Sequence, residues 1–181
     1  MQTSGELINA QQLFREIKIE EGMHVADLGC GNNGAFLFLA SRLVGAGGRV
    51  YAVDIMKPVL ERMRSLAQTE HASNVMTVWS DLEVYGATKI TEHSIDVALL
   101  INVLFQSNNR AAILKEAARL IKSGGRLLVL DWKKTAAPMG PSVEKRIDRD
   151  EAIKIGQTSG FELIGEFEPG PYHYALIFAK Q

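Results

Sequence analysis

The 181-residue sequence has little cysteine, and long apolar runs are missing from it. Its one cysteine, Cys30, excludes an internal disulfide and favours a reducing compartment. No apolar stretch approaches the roughly 20 residues that cross a membrane. The first residues have neither the basic start nor the apolar centre of a signal peptide. We therefore expect a soluble, cytoplasmic protein.

An excess of charge of one sign is also absent, because 20 Lys and Arg residues nearly balance 21 Asp and Glu residues. This balance argues against nucleic acid as a partner, since proteins that bind it electrostatically are usually strongly basic. The four histidines match no zinc spacing, so no metal site is predicted. Four basic residues of helical segments are predicted to lie on solvated faces: Arg62, Arg64, Lys115 and Arg119.

Apolar strands alternate with helical segments along most of the chain. Residues 6–19 are predicted to form one amphipathic helix, and helices are also predicted at 34–44, 57–71 and 108–122, with a loop over 83–92. The strand candidates between them are His24–Leu28, Arg49–Asp54, Val75–Ser80, Ile95–Ile101 and Arg126–Asp131. Strands that are apolar on both faces and joined by helices predict a doubly wound α/β fold with a mostly parallel sheet.

The C-terminal segment departs from this alternation. A helix near 149–158 is followed by two strands, Phe161–Phe167 and Tyr172–Ala179. The four residues between them cannot hold a helical crossover, so these strands must form an antiparallel hairpin that completes a seven-stranded sheet. We expect one domain over 1–181, with an N-terminal helix in 1–20, a binding core in 21–132, a loop in 133–148, and a helix and hairpin in 149–181.

A glycine-rich turn, Asp27-Leu-Gly-Cys-Gly-Asn-Asn-Gly34, follows the first strand. Glycines allow backbone N–H groups to approach a ligand closely at the start of a helix. The second strand ends in another acid, Asp54, at a separation that suits a strand–turn–helix–strand unit. Such a unit holds a nucleoside with the glycines at its tail and the carboxylate at the ribose hydroxyls. The sequence therefore predicts a nucleoside-binding site.

These motifs resemble those of class I S-adenosylmethionine-dependent methyltransferases, and the resemblance covers nearly the whole chain. Val25–Gly34 is similar to the family's first motif, Tyr51–Asp54 to its second-strand acid, and Ser80–Glu83 to the segment that meets the adenine. Residues 95–100 and 114–131 are similar to the small-molecule branch, which includes quinone-biosynthesis C-methyltransferases. The resemblance also implies a Rossmann-like sheet whose seventh strand runs antiparallel between the fifth and the sixth.

The resemblance implies S-adenosylmethionine as the cofactor and a set of residues that bind it. These residues are Asp27, Gly29, Cys30, Gly31, Asn33, Gly34, Asp54, Ile55, Asp81, Leu82 and Asn102. Asn33 stands where family members often have glycine. Because asparagine tolerates a left-handed backbone, we expect a left-handed residue at or near Asn33, which Gly34 follows directly. Cys30 is interpreted as a small packing residue rather than a nucleophile.

The methyl acceptor is expected at the ends of the fourth and fifth strands. The predicted contacts are Phe105, Gln106, Trp132 and Lys133, with Trp132 stacking on the acceptor and Lys133 receiving an anionic group. The alternative is an exposed tryptophan beside ordinary solvated lysines. No residue stands out as a general base, so the catalytic residue is unknown and direct in-line transfer is predicted. Without an added recognition domain, a small-molecule acceptor is favoured over nucleic acid or protein.

Two other functions stay open at this point. One is a nicotinamide-dependent oxidoreductase, although such enzymes usually have an apolar residue where this chain has Asp27 and do not end in an antiparallel hairpin. The other is a non-catalytic partner subunit that binds S-adenosylmethionine or S-adenosylhomocysteine through the same motifs. The oligomeric state is also open, a homo-oligomer included.

Overall fold

The computed structural model describes residues 10–181 and shows alternating strands and helices. The strands are β1 (His24–Leu28), β2 (Arg49–Asp54), β3 (Val75–Trp79), β4 (Ile95–Ile101), β5 (Ile121–Trp132), β6 (Phe161–Gly170) and β7 (His173–Lys180). The helices are α1 (Ala10–Ile17), α2 (Ala35–Val44), α3 (Lys57–Thr69), α4 (Arg110–Leu120) and α5 (Arg149–Thr158), with short 3-10 helices at Leu104–Gln106 and Val143–Lys145. Residues 6–9 of the predicted first helix lie outside the described residues.

The strands form one seven-stranded sheet in the order β3-β2-β1-β4-β5-β7-β6. Strands β1 to β5 are parallel to one another, and β7 runs antiparallel between β5 and β6. This confirms the predicted doubly wound sheet with a C-terminal antiparallel hairpin. The chain runs outward from β1 to β3 and then returns to the other side of β1 with β4. A switch point therefore lies between β1 and β4, and ligands bind at such points in open α/β sheets.

Two apolar cores cover the two faces of the sheet. Leu99 of β4 belongs to one core with Phe14 and Leu37, and the next residue, Leu100, belongs to the other with Phe178. Successive side chains of a strand point to opposite faces. Because both faces are covered, the central strands are apolar at most positions on both sides, which is the pattern seen in the sequence.

The junction of α4 and β5 differs from the prediction. The helix ends at Leu120, and Ile121 already pairs with Ile95 of β4. The register then shifts, and regular pairing resumes where Arg126 meets Val97. A Cβ atom on Gly125 would fall 2.9 Å from the backbone oxygen of Asp96, so glycine is needed at this close approach.

Arg119 is buried, so its predicted place on a solvated helix face is wrong. Its guanidinium donates hydrogen bonds of 2.9 and 2.7 Å to Glu116, which is itself fully buried. Glu116 also accepts the backbone N–H groups of Gly86 and Thr88. Burial opposes the ionisation of Glu116, but these bonds outweigh it and lower the pKa of Glu116 to about 2. The Glu116–Arg119 ion pair therefore connects the irregular segment after β3 to α4.

The longest helix between residues 10 and 181 is α3, with 13 residues. No helix in this range is long and apolar enough to cross a membrane. The same residues contain no cluster of three or more His, Cys, Asp or Glu side chains placed to hold a metal ion.

Candidate functional site

The glycine-rich turn lies at the switch point between β1 and β4. The φ angles of Gly29, Gly31 and Gly34 are +82°, +60° and +67°, in the left-handed region that favours glycine. A Cβ atom on Gly29 would fall 2.7 Å from Cγ2 of Val103, just beyond β4. The turn therefore needs glycine both for its backbone conformation and for the space beside Val103.

The left-handed residue expected at or near Asn33 is Gly34 rather than Asn33 itself. Among the described residues other than glycine, positive φ occurs only at Lys18, His71, His93 and Asn102. Gly34, one position later, makes the reversal that leads into α2. A Cβ atom on Gly34 would also fall 2.8 Å from the Phe38 ring. Packing against Phe38 thus favours Gly34 for the turn and leaves Asn33 in ordinary backbone.

Asp54 faces the turn from the end of β2. One carboxylate oxygen accepts the N–H of Gly31 at 3.1 Å, and the other accepts the N–H of Met56 at 2.9 Å. A carboxylate oxygen has more than one lone pair, so both oxygens can still accept a hydrogen bond from a ligand. The N–H groups of Gly29 and Cys30 donate to the Val53 backbone oxygen at 2.8 and 3.0 Å. The turn and the end of β2 are therefore held as one unit.

Two adjoining pockets open at this edge of the sheet. The Asp54 pocket has a volume of about 360 Å³, and the Asp27 pocket has a volume of about 220 Å³. Both are lined by Gly29, Gly31, Asn32 and Gln106, so they lie side by side, and together they are called the cleft. The Asp54 pocket also holds Asp54, Ile55, Asp81 and Leu82, and the Asp27 pocket also holds Asp27, Cys30, Asn33, Gly34 and Asn102. The structure thus brings all the residues expected to bind the cofactor to one cleft.

A hydrogen bond joins two walls of the Asp54 pocket. The Ser107 hydroxyl donates to the carboxylate of Glu83 at 2.6 Å, linking the segment after β4 to the segment after β3. Asp81 orients this acid, because its carboxylate accepts the N–H of Glu83 at 2.9 Å. Glu83 was placed only in the segment similar to the family's adenine contact and was not named as a binding residue, and Ser107 was not predicted at all, because no pattern in the sequence signals their contact.

Asp27 is almost completely buried at the end of β1, with 3% of its surface exposed. Burial raises the pKa of Asp27 to about 7, and the negative charge of Asp54 adds to the effect. Burial also raises the pKa of the Cys30 thiol well above its usual value, and the negative charges of Asp27 and Asp54 add to this effect. Cys30 is therefore not an activated nucleophile, because the thiolate is the reactive form. A cation bound in this pocket would favour the carboxylate form of Asp27.

We expect the ionisation of Asp27 to make folding stability fall between about pH 4 and pH 7. The unfolded chain ionises this group near its ordinary pKa of about 3.9, whereas the folded protein does so near 7. In that range the unfolded state binds fewer protons, so the free energy of unfolding decreases as pH rises. Asp27→Asn should remove this decrease and be more stable than wild type by at least about 1 kcal/mol at about pH 8. Urea unfolding near pH 5 and pH 8 measures the effect, and identical pH slopes in both proteins would contradict it.

Trp132, at the end of β5, is covered by other side chains and by the following loop. Only 5% of its surface is exposed. The His173 ring lies 4.1 Å from it between centroids, and the Arg146 guanidinium lies 5.3 Å from its ring centroid. Gly140 is so near that a Cβ atom there would fall 2.7 Å from the indole. The interpretation of Trp132 as an exposed aromatic is therefore wrong, and its contact with the acceptor stays a prediction, with His173, Arg146 and Gly140 packed against the ring.

Lys133 is paired rather than free to receive an anionic group. Its ammonium lies 2.7 Å from the carboxylate of Glu168 in β6. The buried Arg146 guanidinium donates to the backbone oxygens of Lys133 at 2.9 Å, Thr135 at 2.6 Å and Pro141 at 2.7 and 3.0 Å. These bonds fold the 133–148 loop around one cation. Arg146 was missed because a single arginine in an irregular stretch has no recognisable pattern.

The segment after β4 is tied to the end of β5 by a buried acid. Asp131 accepts the N–H of Phe105 at 3.2 Å and that of Trp132 at 2.8 Å. Burial raises the pKa of Asp131 to about 6, although these N–H groups oppose the shift. Phe105, Trp132 and Lys133 line neither pocket, whereas Gln106 lines both. Of the expected acceptor contacts, the structure places only Gln106 in the cleft.

Residues 19–161 match a family model described as a methyltransferase domain. The ubiquinone/menaquinone biosynthesis C-methyltransferase UbiE of Hahella chejuensis is 30% identical over 131 residues, covering 72% of this chain and 50% of that protein. The sterol 24-C-methyltransferase erg6 of Aspergillus fumigatus is 24% identical over 172 residues, covering 84% of this chain and 43% of that protein. The chain thus spans half or less of the length of these curated relatives.

Solved structures share the fold over nearly the whole chain. A structure described as a SAM dependent methyltransferase from Aquifex aeolicus superposes with a TM-score of 0.90 at 24% identity, covering 97% of this chain and 92% of that one. A type 11 methyltransferase structure from Sulfolobus solfataricus gives a TM-score of 0.78, also at 24% identity, and the match covers 97% of this chain and 94% of that one. At this level of identity the likeness shows the Rossmann-like fold alone.

Proposed function

The chain belongs to the methyltransferase domain family, and on that premise we propose that it transfers a methyl group from S-adenosylmethionine to a small-molecule acceptor. The observation that carries this proposal is the hydrogen bond between the N–H of Gly31 and the carboxylate of Asp54. It sets a strand-end acid beside a glycine-rich turn at the switch point, the arrangement that holds a nucleoside with a charged tail.

The residues present fit this cofactor by their chemistry. Asp54 retains acceptor capacity for the two ribose hydroxyls, and Ile55 and Leu82 offer apolar surface for the adenine beside the Asp81 carboxylate. The backbone at Gly29 and Gly31 has no side chain to obstruct a ligand. The neighbouring pocket holds the buried Asp27, which suits the positively charged end.

When bound, S-adenosylmethionine would supply a methyl group that its positive sulfur already activates. An acceptor atom then needs only to be held in line with that methyl group. The role of the protein is to hold the cofactor and the acceptor in position. Asp54 and the turn orient the cofactor, and Gln106 lies where the two pockets meet. Correct placement of the acceptor can account for much of the rate enhancement, because a small displacement of the reacting groups lowers the rate by on the order of a hundredfold.

The names of the curated relatives support a small-molecule acceptor. One is named for ubiquinone and menaquinone biosynthesis and another for sterol methylation. The oxidoreductase alternative is disfavoured by the family match and by the β5-β7-β6 order of the sheet. The non-catalytic alternative differs from the proposal only in turnover, so the assay must include it.

We expect S-adenosylmethionine and S-adenosylhomocysteine to raise the melting temperature, because a ligand that binds only the folded state stabilises it. NAD should leave it unchanged. Mass spectrometry of the purified protein should also find one of the two sulfur nucleosides. With a panel of small metabolites, formation of S-adenosylhomocysteine should then identify acceptors. Stabilisation by NAD alone would overturn the proposal, and cofactor binding without turnover across the panel would favour the non-catalytic subunit.

A further inference from the structure

The segment between β3 and β4 lines part of the Asp54 pocket, although it contains neither a helix nor a strand. Glu116 of α4 holds the middle of this segment, because its carboxylate accepts the N–H of Gly86 at 2.8 Å. Val84 and Tyr85, just before that anchor, are 54% and 66% exposed, so packing gives them little support. The turn that faces the pocket, residues 81–83, therefore depends on other contacts for its geometry.

A chain of two hydrogen bonds reaches this turn from another wall of the pocket. It begins at Ser107, which is 8% exposed and whose hydroxyl donates to the Glu83 carboxylate at 2.6 Å. The N–H of Glu83 donates in turn to one carboxylate oxygen of Asp81 at 2.9 Å. Hydrogen bonds to a charged group are about twice as strong as those between neutral groups. Ser107 thus restrains Glu83, and Glu83 restrains the side chain of Asp81.

Asp81 keeps acceptor capacity for a ligand. A carboxylate has two oxygens with about four lone pairs, and the N–H of Glu83 uses one of them. The amino group of an adenine ring is a donor that matches the remaining capacity. Leu82, the residue between the two acids, is 8% exposed and packs into the core. Leu82 therefore anchors the main chain of the turn, whereas the direction of the Asp81 carboxylate is set by hydrogen bonds.

We propose that Ser107 is a positioning residue for the nucleoside: through Glu83 it holds the Asp81 carboxylate where it can accept the amino group of the cofactor's adenine. This inference rests on the proposed function, because it assumes an adenine nucleoside in the Asp54 pocket. Ser107 acts at second hand, since Glu83 uses its single O–H and its oxygen accepts the N–H of Asn109 at 2.9 Å. Loss of the Ser107 hydroxyl should therefore weaken an adenine ligand more than one whose base lacks the amino group.

The test is calorimetric titration of wild type and Ser107→Ala with two probes. S-Adenosylhomocysteine carries the adenine amino group, whereas S-inosylhomocysteine has an oxygen in its place and is otherwise the same. Ser107→Ala should weaken binding of S-adenosylhomocysteine by about three- to tenfold, the effect of one hydrogen bond to a partly exposed acid. It should weaken binding of S-inosylhomocysteine by less than about twofold. Asn108→Ala, at an exposed neighbour that lines neither pocket, is the matched control and should leave both affinities unchanged.

A double-mutant cycle with Glu83→Ala separates this role from a local one, because Ser107→Ala also removes the acceptor of the Asn109 N–H. Glu83→Ala leaves that bond intact and should cause the same selective loss, which decides the question if Ser107→Ala lowers the melting temperature. In the Glu83→Ala background, Ser107→Ala should change affinity by less than about twofold, since the bond between them is already absent.

Three results would overturn the inference: no loss of affinity, an equal loss for both probes, or the same effect of Ser107→Ala with and without Glu83. A wild-type protein that binds no S-adenosylhomocysteine would overturn the proposed function itself. Normal wild-type binding without a selective loss in the variants would overturn only the role of Ser107.

Discussion

Replacing Asp54 with alanine should weaken binding of S-adenosylmethionine by about a hundredfold or more. Two charge-assisted bonds to ribose hydroxyls are worth about 1.5–3 kcal/mol each, and each 1.4 kcal/mol corresponds to a factor of ten. The structure adds a second cause, because the same carboxylate holds the N–H of Gly31 and that of Met56. Without it the turn loses its connection to the end of β2. Calorimetric titration measures the change.

Two further variants separate these contributions. Asp54→Asn keeps one acceptor oxygen and should retain part of the affinity, because that oxygen can still hold Gly31. Glu162→Ala removes an exposed acid on the edge strand β6 and should leave affinity unchanged, which controls for net charge. A folded Asp54→Ala protein with wild-type affinity would show that Asp54 only caps the end of its strand.

The second large effect concerns stability. Glu116→Ala should lower the free energy of unfolding by about 3–5 kcal/mol, the usual cost of removing one partner of a buried ion pair. The change leaves the Arg119 guanidinium buried without its carboxylate. It also removes the acceptor for the N–H groups of Gly86 and Thr88. Urea unfolding measures the loss, and Lys115→Ala, at the exposed neighbouring position, should have little effect.

The same pair has a defined pH dependence. The folded-state pKa of Glu116, about 2, lies below its unfolded value of about 4.3. The carboxylate therefore stabilises the protein above about pH 4, and that contribution is lost as pH falls toward 2. The stability difference between wild type and Glu116→Gln should accordingly shrink in acid. A difference that stays constant from about pH 6 to about pH 3 would mean that the charge of Glu116 contributes nothing.

The fold and the cleft could be predicted because the carboxyl ends of parallel strands meet at one edge of the sheet. The bounds of β1, β2 and β4 agree with the prediction, since each strand is a mainly apolar segment with clear ends. Once those strands are placed, Gly29, Asp54 and Asp81 must come together although they are distant in sequence. Side-chain periodicity and turn residues carry all of this information locally.

The acceptor side could not be predicted in this way. Trp132 and Lys133 resemble free surface groups in the sequence, but the fold brings His173 and Glu168 against them from the C-terminal hairpin. Arg146 comes from the far end of the intervening loop and organises it. Such pairings have no period and no motif, because they depend on how separate segments pack over the end of β5.

The sequence by itself determined the order of strands and helices, the antiparallel hairpin and the position of the glycine turn beside Asp54. Those features follow from apolar periodicity, from turn chemistry and from the short connection between β6 and β7. Only the tertiary structure decided that Gly34 rather than Asn33 makes the left-handed turn, and that Arg119 lies buried on Glu116. The reason is that backbone strain and buried charge depend on which atoms share a space, such as the Phe38 ring beside Gly34. Neighbours of that kind are set by packing between elements, which a local pattern of residue types does not contain.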